Sequence, residues 1–186
     1  MALTDRTAGS GANPFQVLKD YERRSLAHAV GLPEQAEIQG VWTGIGFRLD
    51  EYRLAAAISD IREILPVPPL TRVPGASSWL LGVANIRGLL AAVIDLRGFL
   101  EGQETPQTPR CRILLVHQEG GAVGLLVDEV VGMRRFGEEQ AVADWELADT
   151  FVEPLIESEY EHDGQRWGIF DLGALLRQPE FTQAAA

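Results

Sequence analysis

The fold is decided by the stretch Gly82-Val83-Ala84-Asn85-Ile86-Arg87-Gly88, which runs directly into Leu89-Leu90-Ala91-Ala92-Val93-Ile94-Asp95-Leu96. Both halves are apolar and have the length of a β-strand, and the Arg-Gly pair between them indicates a tight turn. Arg87 is the single charged side chain between two nearly all-apolar strands, where little water is expected. This pattern favours a buried structural ion pair or a recognition surface over a reacting centre.

Glu63 is the expected partner of Arg87. It lies among the apolar residues Ile61, Ile64 and Leu65, so each of the two charges is surrounded by apolar neighbours in the sequence. Because an unpaired buried charge is costly, we expect the two side chains to pair. For a buried pair, removing one partner should cost about 3–5 kcal/mol.

Short strands dominate the rest of the chain. Alternation through Ile45, Phe47 and Leu49 predicts a hairpin into Tyr52, and two more hairpins are predicted from paired segments. The first of these joins 113–117 to 123–131 around Gly120-Gly121; the second joins 156–161 to 166–170 on the turn Asp163-Gly164. Short helices are predicted over 95–101 with Asp95 as N-cap, around 140–148, and over 171–177. This order favours an all-β barrel or a pair of barrels over a parallel α/β sheet.

Three regions are expected along the chain. Residues 1–40 form an N-terminal extension with a helix at about 14–31, because Asn13-Pro14 reads as an N-cap followed by proline at the first helical position. This helix either packs on the body or presents its face to a partner. Residues 41–177 form the main domain, and 178–186 are expected to be a flexible tail.

Composition excludes several classes of protein. The formal net charge of -11 argues against a nucleic-acid partner, because such proteins carry a basic footprint. Ten Asp or Glu and no Lys or Arg occur between Glu138 and Asp163, which is either a solvated face or a docking surface for a basic partner. A single cysteine, no secretory signal pattern and no long apolar run predict a cytoplasmic protein without direct membrane insertion.

The sequence also lacks the patterns of common enzymes. The three histidines are dispersed without metal-ligand spacing, so no metal site is expected. Lys19 is the only lysine, which excludes a Walker-type nucleotide site and a protein-kinase site. Asp95 ends an apolar strand as the phosphorylated residue of a receiver domain does, but no lysine follows to bind the phosphoryl oxygens. We therefore expect no catalytic residue, no metal and no cofactor.

Four motifs in register resemble the CheW family of chemotaxis coupling proteins over about residues 42–175. They are Ile61-Arg62-Glu63-Ile64-Leu65, Val83-Ala84-Asn85-Ile86-Arg87-Gly88, Val93-Ile94-Asp95-Leu96-Arg97 and Gly124-Leu125-Leu126-Val127-Asp128-Glu129-Val130. The resemblance implies a mainly β fold of two intertwined, SH3-like, five-stranded barrels. It also implies a non-catalytic scaffold that joins the cytoplasmic tip of chemoreceptors to the regulatory domain of a CheA-like histidine kinase, recruited to receptor arrays.

The flanking residues narrow the resemblance. The long N-terminal extension and Val41-Trp42-Thr43-Gly44-Ile45-Gly46-Phe47 are similar to the CheW-like adaptors of systems that control type IV pili and twitching motility. Ala92 stands where the family usually has a proline, which leaves that strand freer to pair.

The resemblance also carries over candidate partner-binding residues. Asn85, Arg87 and Gly88 match the family's Asn-x-Arg-Gly motif, and the family commonly pairs an acid at the position of Glu63 with that arginine. Gly124, Val127, Asp128, Glu129 and Val130 fall where its receptor-side groove strand lies, although these side chains could equally be core.

Two alternatives stay open at this stage. One is an adaptor of the same family that serves flagellar chemotaxis instead of type IV pili. The other is a small-molecule-binding or hydrolytic β-barrel protein, which would need a pocket with chemistry in it. The cognate kinase and receptor do not follow from the sequence.

Overall fold

The computed structural model describes residues 41–118 and 121–181, and these residues form eleven strands, two short α-helices and a further helical stretch at 179–181. The predicted helix at about 14–31 and the last residues of the predicted tail lie outside the described residues. The strands are β1 (Val41–Leu49), β2 (Tyr52–Ala57), β3 (Ile61–Pro66), β4 (Leu80–Ile86), β5 (Leu89–Asp95), β6 (Arg112–Gln118), β7 (Gly121–Val127), β8 (Glu129–Gly137), β9 (Ala141–Val142), β10 (Ile156–His162) and β11 (Gln165–Phe170). The helices are α1 (Leu96–Glu101) and α2 (Leu172–Leu176), and short 3-10 turns occupy Ile58–Asp60, Glu138–Gln140 and Glu153–Leu155.

The strands form two sheets whose segments are interleaved in the sequence. One sheet has six strands in the order β8-β1-β2-β11-β10-β9, and the other has five in the order β3-β6-β7-β5-β4. The whole five-stranded sheet is inserted between β2 and β8, and each sheet contains one parallel pair, β2 with β11 and β5 with β7. The prediction of a mainly β protein with two intertwined β subdomains is confirmed. Five strands were expected in each subdomain. The first sheet has six, because the two-residue β9 joins its edge.

The local signals for hairpins and helix starts are confirmed. Asp163 and Gly164 have φ values of 52° and 68° at the turn between β10 and β11, as a type I′ hairpin requires. Asp95 precedes α1 and accepts a hydrogen bond from the Gly98 N–H at 3.1 Å. Asp171 caps α2 in the same way, accepting from the Ala174 N–H at 2.8 Å.

Two predicted elements are wrong. The single strand predicted over 123–131 is two strands, because the chain leaves the five-stranded sheet after Val127 and enters the six-stranded sheet at Glu129. The helix predicted around 140–148 is replaced by the 3-10 turn, β9 and a loop. In that loop the N–H groups of Glu146 and Leu147 donate to the buried carboxylate of Glu159, at 3.2 and 2.9 Å. Pairing of β9 with β10, and the bonds to Glu159, therefore replace the hydrogen bonds that a helix would make.

The main hydrophobic core lies between elements of both sheets. It includes Phe47 and Phe170, whose rings pack edge to face at 5.8 Å, together with Ile94 and Leu125 of the five-stranded sheet. Phe181 is fully buried in the same core, although the flexible tail was predicted to begin at residue 178. The packed part of the chain therefore reaches residue 181, because an aromatic side chain buries a large apolar surface there.

Within the described ranges, no helix combines the length and apolar character needed to span a membrane.

Candidate functional site

The Asn85–Gly88 turn lies at one end of the five-stranded sheet, between β4 and β5. Arg87 and Gly88 both have positive φ, 51° and 85°, which makes this a type I′ hairpin turn. The Asn85 side-chain oxygen accepts a hydrogen bond from the Gly88 N–H at 2.8 Å and so closes the turn. Asn85 and Gly88 thereby hold the backbone that presents Arg87.

Arg87 pairs with Glu63, but the pair is not buried. Its Nη2 atom lies 2.7 Å from Glu63 Oε1, while the Arg87 side chain is 80% exposed and that of Glu63 is 26% exposed. The two side chains therefore pair as expected, but the predicted burial is wrong. A residue in a two-residue hairpin turn projects beyond the sheet, whatever the polarity of the flanking strands. Because β3 and β4 are the two edges of this sheet, the contact also shows that the edges curl towards each other.

Leu90 makes the same end of the sheet apolar. It pairs with Asn85 across β4 and β5, and at 68% it is the most exposed large apolar side chain among the described residues. An exposed leucine beside an amide and a guanidinium is a polar-rimmed apolar patch, which is typical of protein recognition surfaces. We call Asn85, Arg87, Gly88 and Leu90 the sheet-end surface.

Two of the residues assigned to the groove strand are core residues. Gly124 is buried in β7, and a Cβ atom there would lie 2.6 Å from Ile113 Cγ2, so the glycine allows close packing of β6 on β7. The Val127 side chain is fully buried. Neither can contact a partner directly in this conformation, which corrects their place among the candidate binding residues.

The other three, Asp128, Glu129 and Val130, lie half-buried at the crossover between the sheets. Asp128 Oδ2 accepts a hydrogen bond from the Asp50 N–H at 2.6 Å. Glu129 accepts from Arg48 Nε at 2.9 Å, and Val130 packs against the main core. These contacts fasten the β7–β8 crossover to the β1–β2 hairpin.

Arg97 of α1 contributes to the same fastening. Its side chain is only 13% exposed, with Nε 2.8 Å from Glu101 Oε2 and Nη1 3.1 Å from Asp50 Oδ1. The hydrogen bond to Glu101 is the main cause that raises the pKa of Arg97, with the charge of Asp50 adding to it. We call Arg48, Asp50, Arg97, Glu101, Asp128 and Glu129 the inter-sheet network, since it links α1, which contacts β5 and β7 of the five-stranded sheet, to strands of the other sheet.

Within the described ranges, the two histidines and the cysteine are each in contact with a neighbouring polar group. His162 Nδ1 lies 2.9 Å from Gln140 Nε2, and His117 Nδ1 lies 3.3 Å from the Gly121 carbonyl oxygen. The buried Cys111 thiol is 3.2 Å from the Thr108 N–H, which donates to it. The described residues contain no group of three His, Cys, Asp or Glu side chains placed to hold a metal ion. That the protein is not an enzyme stays a prediction from its sequence and family.

The sequence reasoning missed Leu90 and the inter-sheet network. Strand alternation around the buried Ala91 could have identified Leu90 as outward-facing. The network could not be found this way, since its members come from three separate segments, residues 48–50, 97–101 and 128–129.

Comparison with known proteins gives a consistent family assignment. The model of the CheW-like domain matches residues 43–180. Protein PilI of Pseudomonas aeruginosa is 36% identical over 172 residues, covering 92% of this chain and 96% of PilI. The chemotaxis protein CheW of Bacillus subtilis is 29% identical over 150 residues, covering 81% of this chain and 96% of that protein.

The fold has a counterpart among solved structures. The scaffolding protein TtCheW from Thermoanaerobacter tengcongensis superposes with a TM-score of 0.63, covering 75% of this chain and 90% of that one. At 23% sequence identity this likeness supports the fold alone.

Proposed function

We propose that this chain, which belongs to the CheW-like domain family, is a non-catalytic adaptor that couples chemoreceptors to a CheA-like histidine kinase in a system controlling type IV pili. Proteins of this family are non-catalytic scaffolds. The pilus circuit is favoured because the similarity to PilI extends over nearly the whole of both chains. The protein would act in the cytoplasm, recruited to receptor arrays.

The observation that carries the proposal is the sheet-end surface. Leu90 is exposed on a strand whose neighbours are fixed in the sheet, and Arg87 is presented by a turn that Asn85 and Gly88 close. Because the backbone is already fixed, only side-chain entropy is lost when a partner covers the patch, so such a patch suits docking. The Arg87–Glu63 pair sets the charge at its rim.

We assign the sheet-end surface to the regulatory domain of the kinase. The receptor tip would then contact a different face, and Asp128, Glu129 and Val130 remain its candidates because each is partly accessible. Each contact would bury an area at or below the standard of about 1,600 Å², so single affinities would be moderate. Repeated contacts in an array would supply avidity.

Calorimetric titration against the regulatory domain of the pilus-system histidine kinase from the same genome tests the proposal. We expect saturable 1:1 binding that Leu90→Ser weakens about tenfold, since a central apolar anchor contributes about 1–2 kcal/mol or more to a protein interface. The matched control is Met133→Ser, which changes an exposed apolar side chain of the other sheet. Its affinity should equal that of the unaltered protein.

The remaining outcomes separate the alternatives. Binding to the flagellar kinase domain but not to the pilus one would make the chain a coupler of flagellar chemotaxis. Equal losses for the two variants would remove the sheet-end surface from the interface. Absence of binding to either domain would contradict the adaptor role.

A further inference from the structure

Phe99 and Leu100 of α1 line an aromatic pocket that the adaptor proposal does not use. It is a cavity of about 340 Å³ lined by Trp79, Phe99, Leu100, Phe151, Leu155 and Glu180, among others. Its volume falls at the lower end of the range of about 300–1,000 Å³ found for small-molecule sites. The pocket is therefore large enough for a small ligand, independently of any protein partner.

The rings that line the pocket are fixed at right angles. The Trp79 and Phe99 rings have centroids 5.0 Å apart and planes at 81°. Phe99 is held from a further side by Phe181, at 5.3 Å and 87°. Phe151 is braced in the same way by Tyr52, at 5.2 Å and 81°. Rings fixed in this manner have little freedom to lose on binding, and any ring face that remains open to the pocket is negatively polarised.

The charge at the pocket is one-sided. Glu180 lines it, and the described lining residues include no Lys, Arg or His. Within the described part of the chain, no basic side chain forms an ion pair with Glu180. A carboxylate beside aromatic faces attracts a positive group and repels an anion.

We infer that this pocket binds a small organic cation of the alkylammonium class. The cationic head would lie against the faces of Trp79, Phe99 or Phe151, near the Glu180 carboxylate, and its apolar body would contact Leu100 and Leu155. Aromatic walls with a nearby carboxylate are the general arrangement by which proteins recognise alkylated ammonium groups. A neutral apolar molecule of the same shape would gain the apolar contacts but neither electrostatic contribution.

The test compares choline with its neutral carbon isostere, in which a tert-butyl group replaces the trimethylammonium group. The full chain is labelled with fluorotryptophan, and Trp79→Phe identifies the resonance of Trp79 among the four tryptophans. We expect choline to shift the Trp79 resonance saturably, and the isostere to bind about fivefold or more weakly. Equal affinity for the two probes, or no saturable shift with choline, would overturn the inference.

Matched variants locate the site. Broadening of the choline methyl signal should show affinity reduced about fivefold by Trp79→Leu and about threefold by Glu180→Gln, since the first removes a π-face and the second a charge. Trp145→Leu and Glu157→Gln change residues of the same types outside the pocket lining and should leave the affinity unaltered. Glu180 is exposed, so its substitution carries little risk to folding. If neither Trp79→Leu nor Glu180→Gln changes the affinity for choline, the binding site lies elsewhere and the inference is contradicted.

Discussion

Two arginines of this protein make ion pairs of nearly equal length in very different surroundings. Arg87 lies 2.7 Å from Glu63 with 80% of its side chain exposed, and Arg97 lies 2.8 Å from Glu101 with 13% exposed. Among the described residues, the first arginine has one carboxylate partner, whereas the second also meets Asp50 at 3.1 Å. Distance alone therefore does not rank the two contacts. Water screens the first fully and the second less, because the Arg97 side chain is mostly covered while its two carboxylate partners stay partly exposed.

The difference in surroundings corresponds to a difference in role. The exposed pair sits on a hairpin turn where a partner can reach it, so its charges remain available for recognition. The inter-sheet network connects segments that are far apart in the sequence and sets how α1 meets the β1–β2 hairpin. We therefore expect the arginine of the Asn-x-Arg-Gly motif to contribute little to stability, and Arg97, which follows the Val-Ile-Asp-Leu element, to contribute more.

The largest loss of stability is expected at the N-terminus of α1, where a buried carboxylate holds the helix start. Asp95 is 1% exposed and accepts hydrogen bonds from the Gly98 N–H, the Thr105 N–H and the Thr105 hydroxyl, at 3.1, 2.7 and 2.6 Å. Asp95→Ala removes an N-cap and leaves buried donors without an acceptor. The free energy of unfolding, measured with urea, should fall by about 3 kcal/mol.

Asp95→Asn serves as the control for that variant, because the amide oxygen can still accept from one or two of these donors. It should lose clearly less than the alanine variant. A loss below about 1 kcal/mol in Asp95→Ala would mean that water replaces the carboxylate, and that this end of α1 is more open than the structure indicates.

Arg97→Met should have the next largest effect. The substitution keeps most of the apolar stem but leaves Asp50 and Glu101 without their shared cation, so we expect a loss of about 2 kcal/mol in urea unfolding. This value lies below that of a fully buried pair because both carboxylates are partly exposed. Arg177→Met, which breaks the exposed contact to Asp171, is the matched control and should change the stability by less than about 0.5 kcal/mol. Similar losses in the two variants would mean that the contacts of Arg97 stabilise the protein no more than an exposed ion pair does.

The same contrast explains how far the sequence could predict this molecule. The Asp163-Gly164 turn and the caps at Asp95 and Asp171 depend on residues within a few positions of one another, and they were predictable. The split at Asp128 was not, because Asp128-Glu129 interrupts the apolar residues without a Gly or Pro turn signal, and only pairing with different sheets separates β7 from β8. The loop after β9 was mistaken for a helix because its acceptor, Glu159, comes from a later strand.

The candidate site was predictable to a similar extent. The contact between Arg87 and Glu63 was inferred correctly from two isolated charges, but its exposure was not, since the turn geometry was given less weight than the apolar neighbours. Gly124 and Val127 were placed at a groove because position in a motif does not tell which face of a strand is covered. Burial of this kind depends on the opposite strands.

The Glu63–Arg87 pair should therefore stabilise the protein only slightly. A double-mutant cycle with Glu63→Gln and Arg87→Ala should give a coupling energy of about 0.2–1 kcal/mol, and the coupling should shrink in about 1 M salt. Alanine keeps a Cβ atom at the positive φ of position 87, so the backbone cost of that conformation is similar in both proteins. A coupling above about 3 kcal/mol, unaffected by salt, would restore the buried pair that the sequence suggested.

The smallest effect concerns Tyr52, whose ring faces Phe151 near the inter-sheet network. Partial burial raises the pKa of Tyr52 above its ordinary value of 10.0, and the negative charges of Glu51, Glu101 and Asp50 raise it further. In the unfolded chain the phenol ionises at its ordinary pKa, whereas in the folded protein it keeps its proton to higher pH. The unfolded state therefore binds fewer protons above pH 10, and this contribution to stability, complete below that pH, is lost as pH rises through the folded pKa.

Tyr52→Phe should thus reduce the fall in unfolding free energy between about pH 9 and pH 11 while leaving the slope near pH 7 unchanged. An identical fall in both proteins would show that neither burial nor the nearby carboxylates shift the ionisation of Tyr52 on folding.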